Sequence, residues 1–494
     1  MLKIYKKYKN NPIFQFFCKN KFLFYLLLLN FLLRIPTFFE PNRYADEDIY
    51  LALGQGLRKG LVFYRDIHDN KPPLLYIIAA IAGSVPIFRL ILLVWHSVNI
   101  YFFWLLSKKL FKSSFFFNLS TLLFTILSSI PLTEGNIANG EIFMIMPATI
   151  AVYILLTRQK DFILAGFLFA IAFLFKVPIA FDFFAILLYF IAFKPKNIKA
   201  SIKTIFSPKI LFMLFAFIFP ILLSIVYYYL LGAGQPYVKA ALMQNVGYLS
   251  SWEGASRPIY QSGLFQRLIV FIAILALLFK FRKNFHQKFL LIFLWFAGGL
   301  FGSFLSGRPY PHYLIEALPP ACLLLVFLFS NKSKTADRVV IFLLFLLTTI
   351  GIFKYKFWYH QSLPYYKNFI QYVLRTKNKQ EYWNFFGNHV IDNFQTAHYI
   401  KKNTNKNDKI FVWGDEPSIY AMSKRLPIGR YTVAYHIVDF NGFEQSFRQI
   451  KTYLPEYVVY CQNNNLSFPQ LDSLLSNYYY INQIFGNNLL FKLR

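Results

Sequence analysis

The sequence predicts a mostly α-helical polytopic membrane protein, a transmembrane bundle of about eleven spans followed by a small α/β domain. Three observations carry this reading. Of 494 residues, 56% are hydrophobic and 15% charged, whereas soluble globular chains lie nearer about one half and about one quarter. The Lys and Arg behind the net charge of +30 fall in short clusters between apolar runs, the pattern of cytoplasmic loops rather than of a nucleic-acid-binding face. After Trp358 the apolar runs give way to a polar stretch rich in Asn and Tyr.

A run of ~20 apolar residues crosses the ~30 Å hydrocarbon core. Such runs cover Phe22–Phe39, Phe88–Leu106, Phe115–Leu132, Ile210–Leu231, Leu264–Phe281, Phe289–Leu305, Tyr313–Phe329 and Val339–Trp358, with Ile142–Leu156 a shorter span. The Lys-rich segment before Phe22 is not followed by a small-residue cleavage site, which marks a retained anchor. As a single helix Phe162–Phe193 would reach about 48 Å, so Lys176 and Pro178 are expected to break it into two.

Charge tests that split. With it, Lys108/Lys109/Lys112, Arg158/Lys160, Lys194–Lys203, Lys280–Lys283 and Lys332–Arg338 share the side of the amino terminus, whereas one helix would invert the later clusters. The expected topology is multi-pass in the cytoplasmic membrane, with a cytoplasmic amino terminus and an extracytoplasmic C-terminal domain. Leu74–Pro86 is too short to cross. Pro72 and Pro73 suit a first helical turn, so it is expected as a juxtamembrane or re-entrant helix.

Residues 1–358 form the predicted membrane domain and residues 359–494 the α/β domain. In the latter, Ile410–Trp413, Tyr457–Cys461 and Leu489–Leu493 read as strands, with helical patterns at Asp392–Asn403 and Phe443–Leu454 between them. Cys18, Cys322 and Cys461 have neither disulfide-framework nor metal-site spacing. Gln244–Gln261 carries no diagnostic motif, and no internal repeat is visible.

Asn42–Tyr76 holds five of the 22 acidic residues in one polar loop between apolar runs. Crowded carboxylates at a membrane surface lose hydration and repel one another, so they call for a chemical reason. Asp46, Glu47 and Asp48 open a segment whose Ile49, Leu53 and Leu57 share a helical face. They either complement that helix's dipole or cap it, or they supply a general base, Asp46, for an acceptor hydroxyl. Tyr64, Asp66, Asp69, Lys71, Pro72 and Pro73 follow, and Lys71 either snorkels to the head groups or holds a lipid phosphate. Elsewhere Glu141, His312 and Lys176 each admit a structural and a functional role. Asp182, inside an apolar run, requires a partner. Glu316, one turn beyond His312, is placed to pair with it; Asp415 and Glu416 are expected to cap a helix, and Trp413 to fill the core.

The ordered set Asp46-Glu47, Tyr50, Gly60, Tyr64-Arg65-Asp66 and Asn70-Lys71-Pro72-Pro73-Leu74 resembles the GT-C superfamily of glycosyltransferases that use polyprenyl-phosphate sugars. That superfamily includes the protein O-mannosyltransferases and the aminoarabinose transferases. Asn139-Gly140-Glu141, Arg308-Pro309-Tyr310-Pro311-His312-Tyr313 with Pro319, and Val412-Trp413-Gly414-Asp415-Glu416-Pro417 with Tyr420 are similar to further segments of it. Between Lys194 and Arg308 the similarity rests on hydropathy.

The resemblance implies a GT-C bundle with a catalytic outer loop, residues 40–73. It implies inverting transfer of a hexosyl or pentosyl group from a polyprenyl-phosphate-linked sugar donor to a lipid, glycan or protein acceptor at the outer face. Asp46 would be the catalytic base and Glu47 its partner; Glu141, Tyr64 and Asp66 would bind substrate; Lys71, Arg308 and His312 would contact the lipid phosphate. No cofactor is required, and Asp46, Glu47 and Glu141 leave a divalent metal open without calling for one. The competing readings are a transporter or lipid flippase, which would carry ionisable groups at mid-membrane, and a lipid-diphosphate-dependent envelope polymerase or ligase.

Overall fold

The structure is a computed structural model that describes residues 15–16, 19–158, 161–243, 263–305, 308–330, 332–354, 356, 359–464 and 466–494. The loop Gln244–Gln261 lies outside them. The membrane part runs through α1 (Lys21–Arg34), α2 (Ala45–Arg58), α3 (Leu74–Ala82), α4 (Val85–Leu110), α5 (Ser114–Leu127), α6 (Gly140–Thr157), α7 (Phe162–Phe175), α8 (Ala180–Leu188) and α9 (Ile198–Ile205). It continues with α10 (Pro208–Leu230), α11 (Gly263–Lys280), α12 (Gln287–Ser303), α13 (Leu318–Leu328) and α14 (Thr335–Lys354). Among the described residues six segments are long and apolar enough to cross a membrane and five further ones are apolar but shorter, in line with the spans read from hydropathy.

The bundle is wrapped around α6, which packs on α4 and α7, while α7 packs on α10 and α8 on α12. A Cβ on Gly166 would lie 2.2 Å from the Met213 carbonyl oxygen, so the close α7–α10 crossing needs a small residue, as membrane helices use them. On the outside, α11 and α14 display Ile269, Val270, Phe342 and Leu347, a surface that lipid covers and water would not tolerate. The chain is an integral membrane protein.

Phe162–Phe193 is indeed two helices. α7 ends at Phe175, Lys176 is extended (φ −159°, ψ 131°), and a 3-10 turn at Val177–Ile179 leads into α8. The span expected at Tyr313–Phe329 is shorter than hydropathy suggests. Pro311 opens a 3-10 turn to Ile315, and α13 begins only at Leu318 with Pro319 and Pro320 in its first turn, because proline is tolerated there and not deeper.

α3 has nine residues, about 14 Å at helical rise, and does not cross. It lies on α2, where a Cβ on Gly54 would come within 2.6 Å of the Ala80 amide nitrogen. At one end of the bundle the basic loops gather. Lys288 Nζ donates to the Leu110 carbonyl at 2.5 Å, and the Asp337 carboxylate accepts from the His286 amide at 3.2 Å. The opposite end carries α2, α3 and the C-terminal domain.

That domain starts with α15 (Ser362–Val373), α16 (Lys379–Asn384) and α17 (His389–Asn403). Its five-stranded sheet has the order β2-β1-β3-β5-β4. β1 (Lys409–Trp413) runs parallel to β2 (Leu426–Pro427) and β3 (Tyr457–Cys461), and β5 (Asn488–Leu493) lies antiparallel between β3 and β4 (Tyr479–Phe485). The short β2 and the Tyr-led β4 carried no clear strand pattern. The connecting helices are α18 (Ser418–Ser423), α19 (Ala434–Asp439), α20 (Phe443–Tyr453) and α21 (Pro469–Tyr478).

Alternation sorts the sheet into two cores. Phe411, Trp413 and Val458 face one, and Ile410, Val412 and Val459 face the other, which also takes in Ala52 of α2. Trp413 is therefore a core residue. Lys424 Nζ donates to the Gly83 carbonyl at 2.6 Å and the His68 amide to the Arg430 carbonyl at 2.9 Å, fastening the domain to the end of α3 and to the polar loop. Asp415 and Glu416 do not cap α18, whose N-cap is Pro417 with no side-chain cap. Asp415 instead accepts from the Tyr435 amide at 3.0 Å, and Glu416 accepts from Asn393.

Candidate functional site

The acidic triplet occupies the first turn of α2, whose N-cap Tyr44 makes no side-chain capping bond. The three carboxylates have three fates. Glu47 is buried and held by Arg89, Nε to Oε1 at 3.1 Å and Nη2 to Oε2 at 2.6 Å, and it also accepts the Ala138 amide at 2.7 Å. Arg89 reaches Glu40 at 3.0 Å and donates to the Thr37 carbonyl at 2.7 Å. Asp48 is buried beside Asn42, and burial pushes its carboxyl up to about 8. Asp46 alone faces open space.

That space is a cavity of about 600 Å³ lined by Asp46, Lys71, Lys176, Arg308 and His312, with Arg43, Tyr44, Tyr310, Tyr313 and His360 around them. Its far wall is α19 of the C-terminal domain, which contributes Tyr435, His436 and Asp439. Three of the predicted phosphate contacts, Lys71, Arg308 and His312, thus meet the predicted base in one chamber. Tyr50 Oη lies 3.2 Å from Asp46 Oδ2 and 2.8 Å from Asn139 Oδ1, which holds Asp46 against the start of α6.

Glu141 does not line the chamber; it is buried beneath two residues that do, ion-paired with Lys176 and 3.7 Å from His312 Nε2. Lys176 reaches it because the α7–α8 break turns its side chain inward; Nζ also lies 4.4 Å from the centroid of the Tyr313 ring. His312 Nδ1 is hydrogen-bonded to Glu134, so Glu316 is not its partner. Asp182 takes the Trp295 indole N–H at 2.9 Å, the partner its burial demanded.

Like Glu141, Glu47, Tyr64 and Asp66 do not line the chamber. Tyr64 is buried with φ 69° and donates to the Lys71 carbonyl at 2.8 Å. Asp66 pairs with Arg65 at 2.8 Å and accepts the Val62 amide at 2.8 Å. Both shape the loop that presents Lys71. Asp69 is buried behind it, 3.7 Å from His436 Nε2. Burial alone would raise the Asp69 carboxyl, but Lys71 and His436 hold it below the usual range.

Sequence reasoning did not single out Glu134, Arg43, Tyr44, His360 or the α19 residues. Asp69, Arg43 and Tyr44 at least stood within a recognised polar run; Glu134, His360 and the α19 residues stood in no recognised motif. Among the described residues no group of three or more His, Cys, Asp and Glu is arranged to hold a metal ion. Of the three carboxylates left open for one, Glu47 is engaged by Arg89 and Glu141 by Lys176. Chemically, one carboxylate opposite several cations can take a proton on one side of a reacting bond and stabilise an anion on the other.

No protein-family model matches the chain, and no curated protein matches it in sequence. The fold is that of a polytopic helical membrane protein with a C-terminal α/β domain, and it is shared with solved structures. One is ArnT from Cupriavidus metallidurans bound to undecaprenyl phosphate, with a TM-score of 0.56 and 9% identity, covering 94% of this chain and 97% of that one. Another is the same protein in the apo state, with a TM-score of 0.54 and 10% identity, covering 96% and 98%. At such identity the likeness is one of fold.

Proposed function

We propose that the chain is an inverting glycosyltransferase of the GT-C type, which moves a sugar from a polyprenyl-phosphate donor to an acceptor hydroxyl at the outer face of the cytoplasmic membrane. The observation that carries this reading is the one chamber lined by Asp46 together with Lys71, Lys176 and Arg308. The shared fold with a protein crystallised with undecaprenyl phosphate supports it. The gathering of basic loops at the opposite end of the bundle agrees with a cytoplasmic location for that end.

In this reading the prenyl chain lies along the apolar helices while Lys71, Arg308 and His312 take the phosphate. Asp46 accepts the proton of the acceptor hydroxyl as its oxygen attacks the anomeric carbon from the face opposite the phosphate. The carbon–oxygen bond to phosphate breaks, the configuration inverts, and polyprenyl phosphate leaves with the bonding pair. Charge developing on that phosphate meets cations already in place, with little reorganisation needed. Glu47, clamped by Arg89, keeps the first turn of α2 in register.

The test is transfer from labelled lipid-phosphate sugars by the purified protein in lipid. Wild type is expected to form product and Asp46→Asn to bind donor without forming it. Normal turnover by Asp46→Asn overturns the assigned base, and donor flipping with no product overturns the enzyme reading in favour of a flippase.

A further inference from the structure

A second cavity, of about 340 Å³, shares no lining residue with the chamber. Asp46 lines the chamber and Leu51 lines this cleft; five residues at about 100° each turn them about 140° apart on α2. The volume falls in the range of small-molecule sites, about 300–1,000 Å³.

Two span ends form one side of the cleft. Pro41 and Asn42 follow the span that ends at Phe38, and Ser84, Val85 and Pro86 stand at the start of the span Val85–Leu110. The cleft therefore lies at the depth of lipid head groups. Pro86 is exposed, and Leu90 and Val94, at i+4 and i+8 on the same face of α4, are 49% and 60% exposed. An apolar track thus descends from the cleft into the bilayer. On the other side stand Trp383 of α16, Phe394 and His398 of α17 and Met422 of α18. The Trp383 and Phe394 rings meet edge-on at 5.1 Å, and Phe394 stacks on His398 at 6.1 Å and 18°. Aromatic rings of this kind gather where membrane meets water.

Charge selects among the lipids that could enter. Lys401 and Lys424 line the cleft, and Lys424 Nζ stands 2.6 Å from the Gly83 carbonyl at the end of α3. Glu40 is the one carboxylate among the described lining residues, and it is already held by Arg43 at 2.6 Å and by Arg89 at 3.0 Å. A phosphodiester meets two ammonium groups here, whereas a choline or ethanolamine meets a carboxylate that is already engaged. The Trp383 ring, the other kind of partner for a quaternary ammonium, carries Lys379 Nζ at 4.4 Å from its centroid.

We infer that this cleft binds a bilayer phospholipid with an uncharged polyol head group: its phosphodiester lies between Lys401 and Lys424, its head group against Trp383 and Phe394, and its acyl chains along Leu90 and Val94. One such lipid ties α17 of the C-terminal domain to the ends of two spans. The site is independent of the donor reading, which assigns polyprenyl phosphate to the chamber.

The experiment places the full-length protein in nanodiscs of equal parts phosphatidylglycerol and phosphatidylcholine and counts, by native mass spectrometry, the lipids that stay bound on release. Wild type is expected to keep phosphatidylglycerol over phosphatidylcholine by about 10-fold, the order that two lysines at a membrane surface supply. Lys401→Glu is expected to lose that preference. Lys402→Glu makes the same change in net charge one residue away, outside the cleft, and is expected to keep it. Equal loss in both variants would mean attraction to a basic surface and overturn the site. A preference untouched by Lys401→Glu, or absent in wild type, overturns it too. Release of the bound lipid by soluble glycerol phosphate would make the occupant a free phosphate ester, and release by undecaprenyl phosphate would make the cleft part of the donor path; either result overturns the phospholipid assignment.

Discussion

Arg89 grips Glu47 through two hydrogen bonds of 3.1 and 2.6 Å, while the neighbouring carboxylate, Asp46, points into the chamber. Successive residues of a helix are turned by about 100°, so two acidic residues side by side in sequence take different surroundings. The arginine neutralises and immobilises one, and the other stays available at the mouth of a cationic cavity.

The two carboxylates should therefore fail in different ways. Removing one member of a buried ion pair costs about 3–5 kcal/mol when the other charge is stranded; here Arg89 keeps Glu40 at 3.0 Å, which sets the cost toward the lower end. Glu47→Ala is expected to lower the melting temperature of the detergent-solubilised protein sharply. Asp46→Asn is expected to melt like wild type while product formation drops about 10²–10⁴-fold. Equal melting of the two variants contradicts this division.

Lys176→Met removes the cation that both pairs Glu141 and lines the chamber. A hydrogen bond to a charged group is worth about 1.5–3 kcal/mol, so the donor KM is expected to rise about 10- to 100-fold. Steady-state kinetics with varied donor checks it; an unchanged donor KM leaves Lys176 as a counter-ion of Glu141 alone.

Asp48 gives a stability signature with a definite sign. Burial raises its folded-state carboxyl to about 8, above the ordinary range it has when unfolded, so the native state holds the extra proton. Its contribution is complete below the ordinary carboxylate range and is lost as pH rises toward about 8. Asp48→Asn, which cannot ionise, should flatten the fall in thermal stability between about pH 4 and about pH 8; an identical slope in both proteins refutes the assignment.

Tyr435 and Asp439 reach the chamber from α19. Tyr435→Ala and Asp439→Ala are expected to raise the acceptor KM more than the donor KM, because the lipid phosphate is assigned to cations of the membrane domain. A change confined to the donor KM reverses that assignment.

Much of the bundle was legible because lipid burial writes long apolar runs into a chain, and the break in Phe162–Phe193 because Lys176 and Pro178 interrupt one. Asp46, Lys71, Arg308 and His312 were legible as short polar motifs between such runs, and they do converge. The rest depends on packing between distant segments. Nothing near Glu134 announces that residues 178 and 226 positions further on will donate to it. Asp415 and Glu416 looked like caps, but tertiary partners in α17 and α19 claimed them. Glu47 looked like half of a catalytic pair until Arg89, inside an apolar helix, proved to hold it.

One wall of the chamber comes from residues beyond 430, and the domain is fastened to the α3–α4 turn by Lys424 and to the loop by Arg430. A ribosome delivers segments in order, so every span is in place before that wall emerges. A nascent chain thus carries Asp46 on an unfinished trench until the residues beyond 430 have folded onto it.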